Sequence, residues 1–179
     1  MPNPRFRAIE HLQPSHDLSQ FCNERHTVLD RWLQTRAQFS EGKSARTYVV
    51  CSTVEPRRVV GYYALSASQE ERTFLPSAKL RKNMPDKIPL LLLGRLAVDA
   101  KFQGVGLGTA LLAHALRNCL LVSRIAGVRG IVASAIDDAA ARFYAVNDFR
   151  DSPLGERMLF MKIETVSAIF ARGYPSTSS

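Results

Sequence analysis

The decisive stretch reads Leu90-Leu-Leu-Leu-Gly-Arg-Leu-Ala-Val98, then Asp99-Ala-Lys-Phe102, then Gln103-Gly-Val-Gly-Leu-Gly108. A short apolar run bounded by turn residues predicts a buried strand over Leu90–Val98. Behind the glycines, Thr109–Ala126 carries apolar residues around most of a helix. His114, Arg117, Leu121 and Arg124 fall on its wetter stripe, and Gly127 follows as a stop. Glycines at 104, 106 and 108 let the backbone turn several N–H groups toward one point. The helix that follows adds unpaired N–H groups and the positive end of its dipole, which suits a pyrophosphate. Two better-known phosphate loops do not fit. Gly108-Thr109 lacks the lysine of a P-loop, and the spacing is GxGxG rather than GxGxxG. On spacing alone, a plain strand-to-helix turn with no ligand stays open.

Outward from this stretch, Arg5–Ile9 alternates loosely and predicts a first strand. Leu18–Phe39 predicts a helix, or two short ones, with Asp17 as its cap and Gly42 closing it. Thr47–Val54 and Val59–Ser66 predict two strands joined through Glu55-Pro56-Arg57-Arg58. Gln69–Pro89 is polar and broken by prolines, with room for one helical turn at Ser77–Lys82. After the long helix come a strand at Gly130–Ala135, a short helix at Asp137–Val146 and a last strand at Arg157–Ile163. Residues from Tyr174 onward read as a frayed tail. Strands alternating with helices in the second half predict an α/β fold with a mixed sheet.

Composition narrows the function classes. The chain has 179 residues, 46% of them hydrophobic, enough for one full core and too many for a disordered chain. No apolar run approaches the roughly 18–20 residues of a membrane span. Met1–Glu10 has no apolar stretch for a secretory signal. Cys22, Cys51 and Cys119 are odd in number and widely spaced, which disfavours disulfides and fits the cytoplasm. His11, His16, His26 and His114 show no metal-ligand spacing, so no metal is expected. The formal charge is +8, which points to a polyanionic partner or an acidic ligand. The cations cluster. Arg72, Lys79, Arg81, Lys82 and Lys87 face one acid, Asp86, within their span, and Arg31, Arg36, Lys43 and Arg46 form a second set.

Gln103-x-x-Gly106-x-Gly108, placed between an apolar strand and a long helix, resembles the Q/R-x-x-G-x-G/A signature of the GNAT N-acetyltransferases. The resemblance implies the GNAT acyl-CoA N-acyltransferase fold, a mixed central sheet with flanking helices, as a single domain over residues 1–165 followed by a C-terminal segment, 166–179. It implies acetyl-CoA as co-substrate. Leu96, Ala97 and Val98 would hold the pantetheine arm, and Gln103, Gly104, Val105, Gly106, Leu107, Gly108 and Thr109 the pyrophosphate. Ala141-Arg-Phe-Tyr-Ala-Val-Asn-Asp-Phe149 is similar to the family's second signature. Its Tyr144 would protonate the departing CoA thiolate, although a phenol at this position could also simply pack. The thiol's pKa near 8.5 and the phenol's near 10 make the donor role chemically reasonable.

Leu90–Val98 offers no carboxylate as a general base, only Arg95 with Asp99 at its end. An α-amine, with a pKa near 7.7–8.0, needs less help than a lysine near 10.4. The absence tilts the acceptor toward a weakly basic amine. The likeness also widens. Phe21-Cys-Asn-Glu-Arg-His-Thr-Val-Leu-Asp-Arg-Trp-Leu33, Ala45-Arg-Thr-Tyr-Val49, Gly61-Tyr-Tyr-Ala-Leu-Ser66 and Leu92-Leu-Gly-Arg-Leu-Ala-Val-Asp99 resemble the GNAT toxins of bacterial type II toxin–antitoxin systems. Those enzymes acetylate the amino acid on charged tRNA. The chain departs from them at Cys22-Asn23, where many have a glycine and acidic residues. The resemblance implies aminoacyl-tRNA as substrate, a ribbon-helix-helix antitoxin, and operator DNA only through that complex, with a homodimer left open. Arg95, Arg31, Arg36, Lys79, Arg81 and Lys82 are the candidate tRNA contacts, although lysines and arginines on a loop are usually just solvated. Arg95, a charge inside an apolar strand, is either paired structurally or turned to the substrate. Two rival readings stand beside this one: an acetyltransferase for protein or small-molecule amines, and a non-catalytic acyl-CoA-binding or regulatory module.

Overall fold

A computed structural model describes residues 5–75 and 77–173. The strands run β1 (Glu10–His11), β2 (Arg46–Cys51), β3 (Val59–Glu71), β4 (Lys87–Val98), β5 (Gly130–Ser134), β6 (Arg150–Asp151) and β7 (Met158–Lys162). The helices are α1 (Thr27–Trp32), continued by a π-helical turn at Leu33–Ala37 and by α2 (Gln38–Ser40), then α3 (Ala78–Arg81), α4 (Leu107–Ser123), α5 (Asp138–Val146) and α6 (Ile163–Ala171). The strand order is β1-β2-β3-β4-β5-β7-β6, with β4 and β5 parallel and the other recorded pairings antiparallel. This is the mixed sheet expected from the alternation of elements.

Two compact units divide the described chain, the first holding residues 5–65 and 95–115, the second 66–94 and 116–173. In the first, Val49, Cys51, Val59, Tyr62 and Ala97 pack with Leu29, Leu33 and Ala37. Both faces of β3 are buried from Val59 to Leu65, which is why its sequence is apolar without alternation. In the second, Phe74, Leu75, Ile88, Leu90, Val132 and Phe160 form the core. From Ser66 to Glu71, β3 alternates between half-buried and exposed positions, the pattern of a strand with one wet face.

Several boundaries differ from the sequence reading. The first strand is Glu10–His11, not Arg5–Ile9; Phe6 makes only an isolated bridge to Ser52. The helix begins at Thr27, not Leu18. Asp17 does not cap it: its carboxylate accepts from the Ser19 N–H at 2.9 Å, the Ser19 hydroxyl at 2.6 Å and the Gln20 amide at 3.2 Å. These local bonds hold a turn in competition with helix. Glu24, at φ +67°, then breaks any continuous helical path. The polar stretch from Gln69 is strand up to Glu71, and β4 already starts at Lys87; the Arg72 N–H to Asp86 carbonyl bond, 2.6 Å, joins the two ends. α4 spans Leu107–Ser123 rather than Thr109–Ala126. α6 crosses the boundary expected at residue 165, and the sequence reading did not assign its apolar positions to a helix. The frayed tail expected from Tyr174 lies outside the described residues. No helix among them is long and apolar enough to cross a membrane.

Candidate active site

In the first unit, the end of β4 is fixed from several directions. The ladder to β5 stops at Leu93–Ala133, while β4 continues to Val98. The Val98 carbonyl accepts two side-chain amides, Asn23 Nδ2 and Gln103 Nε2, both at 3.0 Å. The next N–H, of Asp99, donates to the Val60 carbonyl at 2.9 Å. The Asp99 carboxylate, 2% exposed, accepts from the Lys101 N–H at 3.0 Å and the Cys22 N–H at 3.2 Å, with Arg58 Nη2 3.9 Å away. Ala100 N–H returns a bond to the Cys22 carbonyl at 2.9 Å. Asp30 accepts from the Asn23 N–H at 2.8 Å, and Asn23 Oδ1 accepts from the His26 N–H at 3.2 Å. The Cys22-Asn23 segment is thereby stitched to Val98–Ala100, in a region with little solvent to replace a lost bond.

The glycine loop leaves that strand end through a short 3-10 turn at Ala100–Phe102. Gly104 and Gly106 have φ of +76° and +83°, the region where only glycine is at ease. A Cβ at Gly104 would meet no atom within 4 Å, so that side of the loop is open. Among the described residues, the amides of 104–109 donate no backbone hydrogen bond; the first to close is Ala110 N–H on the Gly106 carbonyl, 3.0 Å. Leu107, 5% exposed, anchors the start of α4. Free amides at a helix N-terminus on an open glycine loop fit a pyrophosphate group. Gln103 contributes differently from the expectation: its side chain is spent on Val98 and ties the loop to the strand.

In the second unit, Tyr144 sits on α5, whose first turn is capped by Asp137, with its Oδ1 2.7 Å from the Ala140 N–H. Tyr144 is 3% exposed, between Phe143 and Phe149 in edge-on contacts at 5.4 and 5.3 Å. Burial raises its pKa well above that of an ordinary phenol. It therefore stays protonated at neutral pH and can act as a hydrogen-bond or proton donor, not as a base.

The basic candidates differ in their surroundings. Arg72 pairs with Asp86 at 3.3 Å and Lys87 with Glu71 at 3.8 Å. That leaves Lys79, Arg81 and Lys82, on and just after α3, without an ion pair among the described residues. In the second set, Arg46 pairs with Glu41 at 3.2 Å and Lys43 lies over Phe39 at 4.5 Å. Arg31 and Arg36 are exposed, on α1 and the π-helical turn. Arg95 lies over the ring of Trp32, its guanidinium carbon 4.4 Å from the centroid. Among the described residues no group of three potential metal ligands occurs. Asn23, Asp30 and Asp99 are the site residues that the sequence reading missed. Their one signal was polarity at positions flanked by core residues, as in Phe21-Cys-Asn23 and Leu29-Asp30.

A family model described as an acetyltransferase (GNAT) domain matches residues 43–151. The tRNA-acetylating toxin of Mycobacterium tuberculosis is 34% identical over 165 residues, 92% of this chain and 96% of that protein. Among solved structures, a tyrosine-to-phenylalanine variant of KacT matches with a TM-score of 0.85 at 29% identity, covering 93% of this chain and 99% of that one. AtaT complexed with acetyl-methionyl-tRNAfMet matches at 0.83 and 32% identity, covering 91% and 98%. AtaTR is also seen bound with acetyl-CoA, and AtaT with the C-terminus of the antitoxin AtaR and, with AtaR, on DNA. The strand, the glycine loop with its free amides, and the family match over more than half of the chain agree: this chain belongs to the GNAT acetyltransferase family.

Proposed function

We propose that this chain is the toxin of a type II toxin–antitoxin system and transfers acetyl from acetyl-CoA to the α-amino group of the amino acid on charged tRNA, blocking translation. One observation carries the reading: the likeness to a tRNA-acetylating toxin extends over 92% of the chain, far past the cofactor loop. Acetyl-CoA, when bound, supplies an acetyl thioester. The amides of Gly104 to Thr109 hold its pyrophosphate, and the β4 edge at Leu96, Ala97 and Val98 holds its pantetheine arm. A β4 N–H near Val98 polarises the acetyl carbonyl as the amine adds. Tyr144, kept neutral by burial, donates to the sulfur as the C–S bond breaks. No carboxylate base lies on Leu90–Val98, and an α-amine near pKa 7.7–8.0 has enough neutral form without one.

The reading includes a ribbon-helix-helix antitoxin, operator DNA reached only through that complex and a place in the cytoplasm. AtaT, seen with its antitoxin's C-terminus, supports the antitoxin. Lys79, Arg81, Lys82, Arg31 and Arg36 are the phosphate contacts. The test supplies labelled acetyl-CoA with a charged tRNA pool, the same pool after deacylation, polyamines and peptides. Label is expected on charged tRNA alone. Label on free amines or peptides, with none on charged tRNA, overturns the reading.

A further inference from the structure

Arg95 occupies the part of β4 that lies beyond the pairing with β5. Two residues away, Ala97 packs in the cluster that holds Tyr62 and Trp32, so Arg95 shares that face of the strand. Its guanidinium carbon is 4.4 Å from the Trp32 centroid. Trp32 stacks in turn on Tyr62 at 5.9 Å and 13°, and the Tyr62 hydroxyl donates to the Leu29 carbonyl at 2.9 Å. The plate under Arg95 is therefore itself fixed. Among the described residues, Arg95 makes no hydrogen bond and no ion pair, although it is half-buried. Asp30, whose charge also reaches Tyr62, is spent on the Asn23 N–H.

Stacking orients a guanidinium and covers one of its faces, while its five N–H donors stay in plane at the edge. A structural role would give that fork a carboxylate or carbonyls to bind. Here it has none. A planar cationic fork without acceptors matches a phosphate, and it repels an α-ammonium, which favours the neutral amine that reacts. The pyrophosphate of the co-substrate is already provided for by the loop amides. We infer that Arg95, held flat on Trp32, binds a backbone phosphate at the acceptor end of the charged tRNA and so sets the register in which the amine is presented. This rests on the tRNA-acetylating reading above.

The experiment uses the full chain and scores wild-type transfer to charged tRNA first. Without that transfer the functional reading fails, whatever Arg95 does. With it, the variants decide. Arg95→Gln is expected to raise KM for charged tRNA about tenfold or more, the loss of a charge-assisted pair. Acetyl-CoA affinity and the thermal midpoint should stay at wild-type values. Between about 50 and 200 mM salt, the slope of log affinity against log salt should flatten by about 0.7, one single-strand phosphate contact. Arg95→Lys should keep the slope but recover only part of the affinity, because an ammonium lacks the fork. Wild-type KM and slope in Arg95→Gln overturn the inference, and so does wild-type KM in Arg95→Lys if the Gln variant does not fold. Arg95→Gln that keeps tRNA but loses an acidic antitoxin peptide also overturns it, in favour of a carboxylate partner.

Discussion

Asn23 donates from its side-chain amide to the Val98 carbonyl at 3.0 Å, and so ties the segment before α1 to the end of β4. Gln103 reaches the same oxygen from the glycine loop, also at 3.0 Å. One carbonyl thus joins the segment before α1, the strand edge and the glycine loop. Asn23 is 8% exposed, so water cannot readily replace its bond. Asn23→Ala should lower stability by about 1–3 kcal/mol in chemical denaturation. Gln103→Ala, which removes a part-buried bond, should cost about 0.5–1.5 kcal/mol and weaken acetyl-CoA binding. Equal stability of Asn23→Ala and wild type would contradict the bracing role.

Tyr144→Phe keeps the ring between Phe143 and Phe149 and removes only the donor. Turnover should fall about 10²–10⁴-fold, the usual worth of a positioned acid. Acetyl-CoA affinity, measured by calorimetry, should be unchanged. Wild-type kcat in this variant would remove Tyr144 from the chemistry.

Glycine matters for different reasons at different places. A Cβ at Gly130 would collide with the Phe160 ring and lie 2.5 Å from the Met161 carbonyl oxygen, which is backbone and cannot step aside. Gly130→Ala should therefore cost about 3 kcal/mol and disturb β5–β7 pairing. At Gly127 a Cβ meets nothing within 4 Å. Gly127→Ala should change stability by no more than about 0.5 kcal/mol. Thermal melts of the two variants give the comparison.

Burial pushes the Cys51 thiol up to about 11 and the Cys119 thiol up to about 12, whereas Cys22 is exposed. At about pH 8 a thiol reagent should modify Cys22 quickly, and the other two only after unfolding. The raised values also carry a sign for stability. Both thiols stay protonated in the folded chain while the unfolded chain ionises near its ordinary value of 9.0. The contribution of these two thiols is thus full below about pH 9 and is lost as pH rises toward the folded values. Titrating thiols in native and denaturing buffer checks the first point, and denaturation at rising pH the second.

The surplus charge is narrower than the sequence suggests, because Arg72 and Lys87 are paired with Asp86 and Glu71. Replacing Lys79, Arg81 and Lys82 together with glutamine should weaken tRNA binding and flatten its salt dependence. Replacing Arg72 and Lys87 should do less. Filter binding across a salt series separates the two.

What the sequence could reveal followed from local chemistry. Leu90–Val98 and the glycines after it show their strand and turn directly, because apolarity and glycine spacing act within a few residues. The short helix predicted from Asp137 shows its start for the same reason, and Asp137 caps it. Asp17 shows nothing of the kind: whether an Asp caps a helix or holds its own turn depends on Ser19 and Gln20, and the helix predicted from Leu18 begins at Thr27. Asn23 and Val98 lie 75 residues apart, so their bond leaves no local trace. The same is true of Arg95 and Trp32, where a charge in an apolar strand showed only that some arrangement must exist. The distant half of the site is written in pairs that the fold alone brings together.

The central claim is tested most directly at the tRNA's 3′ end. After incubation of the full chain with acetyl-CoA and charged tRNA, nuclease digestion releases the terminal aminoacyl-adenosine for mass spectrometry. The account predicts that this nucleoside gains the mass of one acetyl group on the amino acid's nitrogen. It also predicts that the gain accumulates about 10²–10⁴-fold more slowly in Tyr144→Phe. An unmodified aminoacyl-adenosine, in a reaction where acetyl-CoA is consumed on other amines, would contradict it.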